Sequence, residues 1–223
     1  MGISETRRYW TKKVVIYVLG IIVMTFGISM SIRASIGVAP GSAIPYSVSL
    51  ITPLTIGLSA SLFHIFCVIL QLAVTRRFSL QVALQLPMAY IFGFLIDLFY
   101  DMLEMEFVNL AHNILILTLA MFIFSLGIRA IVGANLLLAP PDGLAQTLGK
   151  MVGWPMSKAK LAFDIVVTAA AALLTFIVTG NPLLVIGIGT VICAIGTGPI
   201  IGLFTKLLPF LDVKKSSSGE ENV

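Results

Sequence analysis

A chain of 223 residues with 58% hydrophobic and 11% charged residues, and a mean hydropathy of +1.06, is too apolar for a soluble domain, in which about 25% of residues carry charge. The formal charge of +4 is spread in short clusters between apolar runs, which excludes a phosphate-binding face and any nucleic-acid partner. The composition describes an integral membrane protein whose surroundings are a lipid bilayer.

Residues 1–12 form a polar, basic lead carrying Arg7, Arg8 and Lys12. The apolar run from Val14 is longer than the core of about 7–15 residues in a signal peptide, so it reads as a retained first span over 14–33. Residues 34–53 are rich in Ser, Gly and Pro, and Ala39-Pro40-Gly41-Ser42 breaks the chain just ahead of an apolar stretch over 43–51. That pattern predicts a short broken or re-entrant helix after Pro40. A second span follows over 56–75, closed by Arg76 and Arg77, then a third over 80–100 with Pro87 inside and Asp97 one turn from its end. Asp101, Glu104 and Glu106 make an acidic loop.

The fourth span covers 112–133, and Ala139-Pro140-Pro141-Asp142-Gly143 is a second break that opens a short helix over 141–151. The fifth span covers 157–178, a Thr179-Gly180-Asn181-Pro182 turn intervenes, and the sixth covers 183–204. A tail from Lys206 holds Lys214 and Lys215 and a Ser/Gly/Glu end whose composition predicts disorder. With a cytoplasmic N-terminus, every Lys and Arg except Arg33 falls on the cytoplasmic side. This bias predicts six spans with both termini inside a bacterial inner membrane.

The two halves echo each other at an offset of a hundred residues: Gly27 with Gly127, Ala34 with Ala134, Ala39-Pro40 with Ala139-Pro140, Ser42 with Asp142, and His64 with Asp164. Gly93 to Phe99 matches Gly198 to Phe204 after a small insertion. Ile32-Arg33-Ala34 also matches Ile128-Arg129-Ala130 if a gap is admitted, and the sequence leaves both alignments open. Three spans per half is an odd number, so the halves are expected to be inverted relative to one another. The expected fold is an all-α polytopic membrane protein of six transmembrane helices. They form two inverted three-helix repeats, 13–106 and 107–205, each with a short helix after an Ala-Pro motif, and a cytoplasmic tail over 206–223 follows.

Non-helical backbone in lipid survives where protein or a water-filled cavity satisfies it, so the two breaks point to a shared site. Pro40, Gly41, Ser42, Pro140, Pro141, Asp142 and Gly143 are its candidate lining, with His64 and Asp164 from matched places in spans two and five. Asp142 reads either as a helix cap facing solvent or as a cation or proton ligand. His64 and Asp164 read either as a substrate site or as separate interhelical hydrogen bonds. Gln71, Gln81 and Gln85 are further interior polar residues, with packing between helices as the simpler role. Arg33, Asp97 and Arg129 are candidate charge partners: Arg33 and Arg129 either attract an anionic substrate or snorkel to headgroups, with topology the favoured role of Arg129, and Asp97 is either the counter-ion of Arg33 or part of the acidic outer rim. Gly198 and Gly202 suit close helix approach, with a homodimer contact as one use of it.

Cys67 and Cys193 lie inside apolar runs without ligand spacing, and no HExxH, GxSxG, Walker or GxGxxG pattern occurs, so no catalytic residue, metal site or cofactor is expected.

The Ala-Pro motifs with Ser42 and Asp142, the span opening at Leu54-Thr55-Ile56-Gly57 with its fellow Val152-Gly153-Trp154-Pro155, and Leu95-Ile96-Asp97-Leu98 together resemble the YczE/YyaS/YitT group of bacterial membrane proteins. The resemblance runs over about 14–204. Ser42 stands where the second half has Asp142, and no extra soluble C-terminal domain of the YitT kind is seen, so the YczE-like branch is the closer likeness. What the resemblance implies is a small-molecule permease or exporter, with no substrate attached. The sequence leaves two rivals: a substrate-capturing membrane subunit of a vitamin or metal importer, and a non-transporting protein that assists another membrane complex.

Overall fold

The computed structural model describes residues 3–76, 80–104 and 108–213. Arg77, Glu106, Lys214, Lys215 and the Ser/Gly/Glu end of the tail lie outside the described residues. Eight α-helices occur among those described: α1 (Ile3–Arg33), α2 (Ala43–Ile51), α3 (Ile56–Thr75), α4 (Leu80–Met102), α5 (Leu110–Ala134), α6 (Pro140–Val152), α7 (Met156–Thr179) and α8 (Ile188–Leu207). Six of them, all but α2 and α6, are long and apolar enough to cross a membrane.

The short helices start where the sequence breaks. Pro40 opens a 3-10 turn, Pro40–Ser42, that runs into α2, and Pro140 and Pro141 take the first two positions of α6. Proline is tolerated there because the first helical N–H groups have no partner within the helix. Gly153, with φ of 74°, then ends α6 in a left-handed cap.

Two span starts differ from the sequence reading by more than two residues. Helix α1 extends back into the basic lead, where the Lys13 ammonium stands 5.3 Å from the ring centres of both Tyr9 and Trp10. Helix α8 starts at Ile188 rather than at residue 183, because the preceding chain is held as a strap. Val38 N donates to Val185 O at 3.3 Å and Gly189 N to Ile36 O at 2.7 Å. Leu183 falls instead in the 3-10 turn Pro182–Leu184. Apolarity alone does not reveal that another segment has claimed those backbone groups.

Helices α1 and α5 cross at the centre. Gly20 lies against Ile131, Gly27 against the Phe124 main chain and Gly127 against that of Met24, so the two helices run antiparallel with their backbones in close approach. Helix α4 packs on α1 through the edge-to-face pair Phe26–Phe99, with centroids 5.4 Å apart, and through Ser29 Oγ donating to Ile96 O at 3.0 Å. Helix α8 packs on α5 with a similar pair, Phe122–Phe204, at 6.3 Å. The main apolar core lies along these helices.

Helix α3 packs along α4 with Gly57 and Gly93 against each other's carbonyl oxygens, and Ser61 Oγ donates to Ala89 O at 3.1 Å. Both short helices pack against α3 and α7. On α2, Ser47 Oγ donates to Ala171 O at 3.1 Å and lies 2.8 Å from Thr175 Oγ1 on α7. A smaller core of Phe63, Cys67, Leu144 and Val167 joins α3, α6 and α7.

Candidate functional site at the start of the second short helix

Asp142 is the third residue of α6, and its carboxylate pairs with the Lys160 ammonium of α7 at 3.0 Å. Lys160 also reaches Asp164, one turn along its own helix, at 2.6 Å. Two carboxylates thus share one ammonium, leaving one net negative charge. The three side chains are 23–33% exposed, so the cluster lies at the margin of the fold rather than deep in it. Asp142 is not the N-cap of its helix; Ala139 is, with no side-chain cap bond, and the carboxylate instead makes an ion pair beside the positive end of the dipole.

Helix α3 presents His64, Cys67 and Gln71 on one face, all buried, and α4 adds buried Gln85. Cys67 packs with Leu144 of α6 and Val167 of α7, which places this face beside those helices. A Cβ added to Gly143 would stand 2.8 Å from Gln71 Oε1 and 2.9 Å from Gln85 Nε2. The missing side chain at Gly143 is what admits both amides to the first turn of α6. Gln71 Oε1, Gln85 Oε1 and His64 Nδ1 are buried without a hydrogen-bond partner, an unusual state for three polar atoms in one region.

His64 and Asp164 are not brought together. The His64 ring packs 4.7 Å from Phe92 and 6.3 Å from Phe63, while Asp164 is held by Lys160. Gln81 is exposed, whereas Gln85, one turn later, is buried. Pro140 and Pro141 are buried beneath the cluster. Pro40, Gly41 and Ser42 form the turn that leads α2 onto α7; Ser42 is buried, its hydroxyl caps nothing, and Gly41 faces open space.

Of the two readings of Asp97, the pair with Arg33 is not formed. Both lie at the opposite end of the bundle, but Asp97 accepts from Thr55 Oγ1 and from Gly57 N, each at 2.6 Å, and so closes the start of α3. Arg33 stacks 3.7 Å over the Tyr100 ring and donates to Tyr100 O through Nη2 at 2.7 Å and Nε at 3.1 Å, capping α4. A backbone N–H and a hydroxyl thus satisfy Asp97, while the Arg33 guanidinium is engaged by Tyr100. Tyr46, Ser49, Leu50, Leu54, Thr55, Ile56, Asp97, Tyr100 and Asp101 line a cleft of about 290 Å³ there. Burial first, and then Tyr100, raise the Tyr46 hydroxyl above its ordinary range, so it presents a neutral phenol to that cleft.

Arg129 is 2% exposed, not a snorkelling residue at a membrane face. It donates to Leu208 O at 3.3 Å and pairs with Asp212 at 2.9 Å, tying the chain after α8 to α5.

Lys160 is the residue that sequence reasoning passed over, grouping it with Lys158 as a topology signal. Its four-residue spacing to Asp164 inside an apolar run was the available clue. Asp212 carried no such clue, because its partner is distant in sequence. No group of three His, Cys, Asp or Glu able to hold a metal ion occurs among the described residues.

Six apolar helices and two proline-opened short helices define a polytopic membrane protein, with a charged cluster where α6 meets α7. The chain belongs to the family of unknown function DUF6198, which it matches over residues 11–206. It is 26% identical over 186 residues, 83% of this chain and 81% of the relative, to the uncharacterized membrane protein YczE of Bacillus subtilis (strain 168). The YczE likeness seen in the motifs therefore holds along most of the chain. No solved structure matches it.

Proposed function

We propose that this protein is a small-molecule secondary transporter of the bacterial inner membrane, with both termini cytoplasmic, in which two inverted three-helix halves expose a central site alternately to each side. The observation that supports it is a correspondence of helix packing with one interface missing. Exchanging α1–α4 for α5–α8 carries the α1–α4 contact onto α5–α8, α2–α7 onto α6–α3, and α2–α3 onto α6–α7. Phe26–Phe99 corresponds to Phe122–Phe204, and Arg33 on the end of α4 to Arg129 on the end of α8. These roles favour the gapped match of Arg33 with Arg129.

The α3–α4 interface has no counterpart of comparable extent between α7 and α8 among the described residues. Gly93 is pressed on Gly57 and Ser61, whereas its match Gly198 has nothing within 4 Å, nor does Gly202. A symmetric pair of interfaces with one closed and one parted is what alternating access requires of a single state. In the proposed orientation the parted side is cytoplasmic, the side of Asp142 and Lys160.

Cross-linking tests this. In the Ser157→Cys/Gly198→Cys protein in lipid vesicles, a disulfide is expected to form in a fraction of molecules. Once formed, it should raise labelling of a third cysteine, Ser61→Cys under the α3–α4 interface, by an impermeant maleimide added outside. A disulfide that never forms, or that leaves Ser61→Cys labelling unchanged, would sink the reading. Native Cys67 and Cys193 are buried and supply a low background.

A further inference from the structure

We infer that the cluster at the start of α6 is a binding site for a primary organic ammonium ion, and that Lys160 is its tethered occupant in the empty state. The Lys160 Nζ shows directly that an ammonium fits between Asp142 and Asp164, at 3.0 and 2.6 Å. Lys160 precedes Asp164 by four residues, the less favourable order for such a helical pair, so this contact is weakly supported by its own helix. Independently of the charges, Gln71 and Gln85 are more than nine-tenths buried, and each holds an unpartnered carbonyl oxygen. Both amides reach the first turn of α6 at Gly143, next to Asp142.

Unpaired buried acceptors cost free energy that a bound donor recovers. The lining offers two carboxylates and the Gln71 amide oxygen, with the Gln85 amide nitrogen beside it, and the one cation present is mobile on a four-carbon stem. Such a lining selects a ligand with a positive charge and several N–H or O–H donors. It disfavours anions, and it disfavours quaternary ammonium ions, which have charge but no N–H to give. The neighbouring packing of Phe63, Cys67, Leu144 and Val167 is apolar, which suits a ligand whose remainder is a short carbon chain. A substrate ammonium would take the place of Lys160 between the acids and release that side chain toward the more exposed margin. The empty transporter thereby avoids leaving two carboxylates unpaired in the membrane.

This rests on the transporter reading for the site's purpose, and the two fail separately. The probes are 2-aminoethanol, choline and acetate, measured with the full-length protein in nanodiscs by ligand-observed NMR at fixed sodium concentration. Expected is binding of 2-aminoethanol, with choline and acetate much weaker. Lys160→Met removes the tethered competitor and should tighten 2-aminoethanol about tenfold or more. Asp142→Asn and Gln71→Leu should weaken it. Lys160→Gln serves if Lys160→Met does not fold. Equal binding of choline, displacement by sodium alone without 2-aminoethanol binding, or an affinity unchanged in both Lys160 variants would overturn the inference. Binding as expected, with α7 and α8 immobile in the cross-linking experiment, would remove the transporter reading and leave the ligand class standing.

Discussion

Gly27 of α1 and Gly127 of α5 each lie against the other helix's main chain, Gly27 at Phe124 and Gly127 at Met24. Close approach of two backbones replaces the hydrophobic effect as the source of helix association in lipid, since tails are as apolar as side chains. A Cβ at Gly27 would stand 2.5 Å from Phe124 N, and backbone there has no freedom to yield. Gly27→Val is expected to destabilise the protein by about 1–3 kcal/mol or more, as overpacking does. Thermal unfolding in detergent measures this, and an unchanged midpoint would show that α1 and α5 tolerate separation.

Arg129 is buried while Asp212 is 42% exposed. Removing the acid strands a guanidinium that retains Leu208 O as a neutral partner. Asp212→Ala should cost about 1.5–3 kcal/mol, the range for a hydrogen bond to a charged group. Arg129→Met, which removes the buried charge itself, should cost less than the same change combined with loss of Leu208 contacts by truncation before 208. Comparing the unfolding midpoints checks both.

Arg33 and Asp97 sit at one end of the bundle with separate partners, Tyr100 for the first and Thr55 with Gly57 for the second. A double-mutant cycle of Arg33→Gln and Asp97→Asn should give a coupling under about 0.5 kcal/mol, as for independent sites. A coupling well above that would restore the direct charge pair read from the sequence.

Gly198 faces open space, so Gly198→Leu should change stability by no more than about 0.5 kcal/mol. The same substitution should block closure of α8 on α7. The expected signature is a normal unfolding midpoint with no outside labelling of Ser61→Cys. Labelling at the level of the unsubstituted protein would show that the glycine face is not a closing surface.

Much of the architecture was legible in the chain. Six apolar runs fix six spans because lipid leaves the backbone no alternative to a helix, and Pro40 and Pro140 mark the short helices because proline ends one helix and starts another. The basic clusters and the motifs that match the YczE-like relatives were equally local.

Which polar groups meet was decided by tertiary packing. Asp142 and Asp164 stood out from the sequence, but Lys160 as their shared ammonium, Phe92 beside His64, Thr55 at Asp97 and Asp212 at Arg129 did not. The reason is physical: burial in lipid is a property of each segment's own composition, whereas a hydrogen bond or ion pair depends on how helices distant in sequence rotate and approach. Glycines show the same division. The sequence locates Gly93 and Gly198 at matching places, and only the arrangement of helices makes one a closed contact and the other an open face.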